Sequence, residues 1–74
     1  MKISIAECAE ILEGSPAWVR SLCERQIIGD SYGTGKNRKT YKIVQSKLAR
    51  FMQIPEHELM QRIIEVRESE VRNG

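Results

Sequence analysis

The chain lacks most of the features by which a short sequence announces chemistry. It has two cysteines and one histidine in 74 residues. Cys8 and Cys23 stand 15 positions apart and belong to no Cys-x-x-Cys or Cys/His cluster, so the spacing supports neither a zinc site nor a disulfide framework. Both fall on apolar helical faces and are expected as buried free thiols, where cysteine behaves as a small hydrophobe. His57 has neither a second ligand nor a nucleophile partner and is expected on the surface of an early helical turn. There is no Gly-x-Ser-x-Gly, no phosphate-binding glycine loop, and no Cys/His or paired-carboxylate arrangement. Gly33-Thr34-Gly35-Lys36 lacks both the glycine spacing and the strand-to-helix context of a nucleotide loop. A chain this short lies near the lower limit for burying a core without covalent help, which leaves no depth for a catalytic cleft. No enzyme, cofactor or metal is expected. No apolar run approaches the roughly 18 residues of a membrane span, and the N-terminus lacks the basic region and apolar stretch of a secretory signal. A cytoplasmic location without a membrane partner is the expectation.

What is present is an ordinary globular composition, 41% hydrophobic and 30% charged, which argues for a folded domain rather than a disordered tail. Net charge is only +2, but it is unevenly placed. Residues 1–14 set Lys2 against Glu7, Glu10 and Glu13, and residues 51–74 set three arginines against five glutamates. Residues 15–50 carry Arg20, Arg25, Lys36, Arg38, Lys39, Lys42, Lys47 and Arg50 against only Glu24 and Asp30. A basic block between acidic ends is the electrostatic footprint of a surface for polyanions.

Ser4 followed by Glu7 is a capping box, which predicts a first helix whose apolar residues Ile5, Cys8, Ala9 and Leu12 share one face. Gly14 is expected to end it in the left-handed conformation. Ser15 then caps a second helix, with Pro16 in its first turn, running to about Arg25. Its Val19, Leu22 and Cys23 point inward, and Ala17, Trp18, Arg20, Ser21 and Glu24 point elsewhere. Two short helices across a tight turn form a helix-turn-helix pattern, whose second helix suits a DNA major groove. Gln26 to Tyr32 and Thr40 to Ile43 read as strands, and residues 33–39 as an exposed loop, together a hairpin with a basic tip. Ser46 or its neighbour is expected to cap a third helix whose Leu48, Phe51 and Met52 complete the core. A last helix from Pro55 to about Arg72 carries Leu59, Met60, Ile63, Ile64 and Val66 and the pairs Glu58/Arg62 and Glu68/Arg72. This stripe either packs across the domain's own core or meets a second copy. The division is 1–52 as the DNA-binding domain and 53–74 as a C-terminal helix that packs on it or mediates self-association.

Residues 3–52 resemble the excisionase-like and MerR-like winged helix-turn-helix DNA-binding domains. The resemblance is carried by Ser4-Ile5-Ala6-Glu7-Cys8-Ala9-Glu10-Ile11-Leu12, Ser15-Pro16-Ala17-Trp18-Val19-Arg20, Ile27-Ile28-Gly29, Tyr41-Lys42-Ile43 and Leu48-Ala49-Arg50-Phe51-Met52. It implies a mainly α fold with a small β-hairpin, a winged helix-turn-helix with an added C-terminal helix. It also implies a double-stranded DNA partner. By position it carries DNA contact onto Ala17, Trp18, Arg20 and Ser21 of the recognition helix and onto Lys36, Arg38 and Lys39 of the wing; Ser15 and Arg25 of the helix and Asn37 of the wing are further candidates beside them. Lys42 and Lys47, with Arg50, are candidate phosphate contacts. Two departures stand out. The wing is long and polar for the family, and Trp18 occupies a place where smaller or polar residues are commoner, so it either inserts toward DNA or packs against the wing near Tyr32.

Small stand-alone members resemble recombination directionality factors of phages and mobile elements, which bind cooperatively near attachment sites and bend DNA for an integrase or other recombinase. The chain has no room for the long dimerisation helix and effector domain of MerR-type activators, which favours the excisionase-like expectation. A small transcriptional regulator would use the same contacts on another target. A protein-binding adaptor working through the last helix is the alternative from a different class. Arg20 is the foremost candidate for base contact, because a guanidinium matches guanine bidentately from a helix in the major groove. The deep, narrow major groove of an RNA helix argues against RNA.

Overall fold

Ser4 and Glu7 start the first helix as their spacing requires. The computed structural model describes residues 2–33 and 39–73, with side chains through Ser69. The Ser4 hydroxyl accepts from the Glu7 amide at 3.0 Å, and Glu7 Oε1 accepts from the Ser4 amide at 2.9 Å. Helix α1 spans Ile5–Leu12 and α2 spans Pro16–Glu24. Ser15 Oγ accepts from the Trp18 amide at 3.1 Å, which satisfies a donor that the start of α2 leaves orphaned. Strands β1 (Gly29–Gly33) and β2 (Lys39–Ile43) pair antiparallel, with Gly29 opposite Ile43 and Gly33 opposite Lys39. Helices α3 (Gln45–Met52) and α4 (Glu56–Asn73) follow. The described residues are thus mainly helical, with one two-stranded hairpin.

Three helix ends share one device. The Gly14 amide bonds to Ala9 O and the Glu13 amide to Glu10 O. Ile27 and Gln26 repeat this with Leu22 and Cys23, as do Ile54 and Gln53 with Ala49 and Arg50. These are Schellman closures, which place a residue just past the helix end in the left-handed region. That residue is Glu13 (φ 56°), Gln26 (φ 58°) or Gln53 (φ 59°), never glycine. The expectation that Gly14 takes the left-handed position is therefore corrected, and a packing constraint explains why a glycine stands there. A Cβ at Gly14 would lie 2.4 Å from Trp18 Cε3. Where Ile27 and Ile54 follow the left-handed residue, they pack against the core.

Other boundaries differ in small ways. Gly33 and Lys39 belong to the strands rather than the loop. Val44, not Ser46 or a neighbour, occupies the cap position of α3 and gives it no side-chain cap. Gly29 sits where the two strands converge, and a Cβ there would lie 2.0 Å from the Lys42 carbonyl oxygen.

The core collects one face of each helix and Ile43 of β2, with Ile3 and Ile28 added from outside the elements. Cys8, Val19, Cys23, Ile28, Leu48, Leu59 and Ile63 are fully buried, each large aliphatic among them contributing about 1.5–3 kcal/mol. Both cysteines are free thiols, and burial pushes Cys8 up to about 12 and Cys23 upward as well. Phe51 was expected in this core but is 40% exposed, and Ala49 takes the inward position beside Leu48. The stripe on α4 divides. Leu59 and Ile63 face inward, Val66 is half-buried, and Met60 and Ile64 remain exposed. Five apolar positions span more of the helix circumference than one small globule covers.

An ion pair that sequence spacing did not predict docks α4 onto the start of α1. Arg67 Nε donates to Glu7 Oε2 at 2.6 Å, and its Nη2 donates to the Lys2 carbonyl at 2.7 Å. The expected Glu58–Arg62 pair is present at 3.9 Å, while the Arg72 half of the second expected pair lies outside the described side chains. The Arg67 guanidinium, with the Ser4 amide, holds the Glu7 carboxyl down from 4.5 to about 2.

Two measurements test these features. Gln53→Gly relieves a left-handed conformation that costs a side-chain-bearing residue about 1–2 kcal/mol, against a glycine entropy cost of roughly 0.5–1 kcal/mol. A net gain near 0.5 kcal/mol should raise the melting temperature by about 2–4 °C, whereas Gly29→Ala should lower stability by roughly 1–3 kcal/mol through backbone overpacking. Because the folded state depresses the Glu7 pKa, its contribution is present in full above about pH 4.5 and is lost as pH falls toward 2. The stability gap between wild type and Glu7→Gln, about 1–2 kcal/mol at neutral pH after discounting for the partly exposed guanidinium, should close across that window in urea titrations. A gap independent of pH would contradict the pairing.

Candidate nucleic-acid interface

Helical periodicity decides what α2 shows to solvent. Val19, Leu22 and Cys23 are buried, so the other side of the helix presents Ala17, Trp18, Arg20, Ser21, Glu24 and Arg25, all exposed. Among the described residues, other elements touch that face only at its margins, where Trp18 meets Phe51 and Glu24 meets β2. Ser15 is exposed at its N-terminal end, its hydroxyl committed to the Trp18 amide.

The hairpin lies against the same helix, and the pleat determines which cations come with it. Side chains alternate across a strand and cross-strand partners share a face. Ile43 is buried, so Tyr41 and Lys39 stand on its side of the sheet, toward α2. Both reach Glu24. Lys39 Nζ donates to Glu24 Oε1 at 3.1 Å, and Tyr41 Oη donates to the same oxygen at 3.1 Å. The Lys39 hydrogen bond and then that of Tyr41 hold the Glu24 carboxyl below its usual range, and Glu24 in turn raises the Lys39 pKa. Burial, then Glu24, pushes the Tyr41 phenol up, while the positive charges of Lys39 and Arg20 oppose the rise. Arg20, Glu24, Lys39 and Tyr41 therefore form one electrostatic neighbourhood.

Lys42 is separated from it. Its register partner is Asp30, on the opposite side of the hairpin from Tyr41. Lys47 also turns to Asp30, at 3.5 Å. Of the candidate phosphate contacts, Lys47 pairs with Asp30 and Lys42 stands opposite it in the ladder, so neither joins the α2 face.

Trp18 makes its ring contact with Phe51 rather than near Tyr32. The centroids are 6.3 Å apart and the planes tilted by 58°, within the range of favourable aromatic pairs. The indole lies over Gly14, which supplies the missing side chain that lets it settle. Trp18 is still 41% exposed and so is accessible from outside. Beyond Phe51, an open groove of about 280 Å³ is lined by Gln26, Ile27, Lys47 and Arg50. On another part of the surface, Glu10, Glu13 and Glu65 line a groove between α1 and α4 with Arg62. The acidic ends of the sequence thus meet there, apart from the basic middle.

Lys36, Asn37 and Arg38 lie outside the described residues. Lys39 is brought to α2, but as the partner of a carboxylate. Sequence reasoning missed the roles of Glu24 and Phe51. The alternation of Lys39, Tyr41 and Ile43 was a readable signal that both polar groups would accompany a buried isoleucine toward the helix. No comparable signal marked Phe51, because its helical spacing also fits the core. No family model matches the chain, and no curated protein or solved structure matches it. Function is therefore read from the site itself.

The packing of the single tryptophan is directly measurable. Gly14→Ala should displace the indole, increase acrylamide quenching and shift its emission to longer wavelength, and unchanged emission would contradict the contact.

Proposed function

We propose that this protein is a sequence-specific double-stranded DNA-binding protein of the winged helix-turn-helix kind. In this reading α2 enters the major groove and the β1–β2 hairpin serves as the wing. The observation that carries it is the exposed face of α2, bearing Arg20 and Arg25, with a hairpin held alongside through Glu24. A rigid helix whose apolar side is fully buried offers its other side without conformational cost, as groove insertion requires. Arg20 reads a base, with guanine the best match to its paired donors. Arg25 and the cations of the hairpin tip neutralise phosphates, which positions the helix without specifying sequence. Trp18 adds an apolar contact at the N-terminal half of the helix.

The resemblance over residues 3–52 supports an excisionase-like role, with cooperative binding near attachment sites and bending of DNA for an integrase. The acidic groove between α1 and α4 takes no residue from α2, which leaves Arg20 and Arg25 on the exposed face of that helix to meet a polyanion.

Mobility shifts and footprinting test the proposal. Neutralising about five phosphates gives a log-log salt slope of about −4 to −5. Arg20→Ala should cost about 1–3 kcal/mol at one base pair and relax preference there, while Lys36→Ala weakens all sequences alike. Trp18 emission should be quenched when duplex binds. Equal losses on specific and random duplex for both substitutions would assign the reading helix elsewhere, and a single-copy footprint without bending would remove the architectural role.

A further inference from the structure

The exposed side of α2 is not uniformly basic. Glu24 lies in its last turn, within a segment that otherwise carries cations, and its carboxylate is engaged by two groups of the neighbouring strand. Lys39 stands opposite Gly33, a residue with no side chain, and a Cβ at Gly33 would meet nothing within 4 Å. No bulk across the ladder props the lysine upright, and its ammonium extends to Glu24 at 3.1 Å. Tyr41 donates to the same oxygen from two residues further along β2. As a neutral donor, the phenol holds the carboxylate in place whether or not the ammonium stays.

Two roles are open to a carboxylate on a DNA-facing helix. It can accept from a cytosine amino group and so read sequence, or it can act on the protein's own cations. The twin bonds to Lys39 and Tyr41 commit Glu24 to the hairpin. We infer that Glu24 is a positioning residue that seats the hairpin against α2 and cancels the charge of Lys39, so that Lys39 is withheld from the phosphates and binding to arbitrary duplex is restrained. This inference rests on the DNA-binding reading above and assigns a task within that surface. Non-specific affinity is set almost entirely by the number of phosphates neutralised. One internal ion pair at the edge of the interface therefore weakens attachment to every duplex without touching a base. Such a restraint matters because competing non-specific sites outnumber specific ones by orders of magnitude.

The test is the salt dependence of binding to a random-sequence duplex by the full chain. E24Q keeps an oxygen for Tyr41 and loses the charge. It should bind about five- to tenfold more tightly at 0.1 M salt, with a log-log slope steeper by about 0.9, the signature of one added phosphate contact. The double variant E24Q/K39Q should return to the wild-type slope, because the released lysine is gone. E24D, which retains the charge, should also keep that slope, and thermal melts of each variant establish that it is folded. A wild-type slope for E24Q, or an E24Q/K39Q slope as steep as that of E24Q, overturns the inference. So does a change of preference at one base pair in E24Q with the slope unaltered, which would make Glu24 a base reader. Failure of the wild-type chain to shift any duplex overturns the DNA-binding reading together with this inference, whereas the other adverse outcomes overturn this inference alone.

Discussion

The burial of Val19, Leu22 and Cys23 is the constraint from which the rest of this molecule follows. Their spacing places all three on one side of a helix of nine residues. Once that side is sealed in the core, the orientation of every other residue of α2 is set by 3.6-residue geometry. Ala17, Trp18, Arg20, Ser21, Glu24 and Arg25 have no freedom to face inward. The surface proposed for DNA is thus the complement of the core.

Around that helix two carboxylates each serve more than one purpose. Glu7 completes the cap of α1 and also receives Arg67 from α4, joining residues 60 positions apart. Glu24 receives both Lys39 and Tyr41 and so ties the hairpin to α2. Neither carboxylate is buried and each has a cationic partner, so charge stands beside the packed elements without the cost of a buried, unpaired ion. The three left-handed residues, none of them glycine, add a local cost at each helix end that the closing hydrogen bonds and the packing of Ile27 and Ile54 offset.

Much of the framework was readable because it depends on neighbours in the chain. The capping box, the serine cap before Pro16, the inward faces of α1 and α2 and the alternation in β2 all rest on contacts within four residues. The errors cluster where two explanations share one spacing. Gly14 stood at a plausible helix stop, yet the left-handed residue is Glu13, and Gly14 is there for the indole of Trp18. Phe51 sits at a core-compatible interval from Leu48 but packs on Trp18 at the surface. The stripe on α4 contained two outward residues because periodicity alone does not say how wide an arc the neighbouring helices will cover.

The sequence by itself determined the four helices, the hairpin between the second and third, the buried thiols and the confinement of most cations to residues 15–50, since propensity, capping and patterning act over short chain distances. Only the tertiary structure decided which of those cations accompany α2. The pleat sends Lys39 toward the helix and Lys42 away, and Asp30 draws Lys47 aside. It also decided that Glu24 and Lys39 meet across 15 positions. A charge in a sequence has a sign but no direction, and direction is conferred only when strands and helices pack.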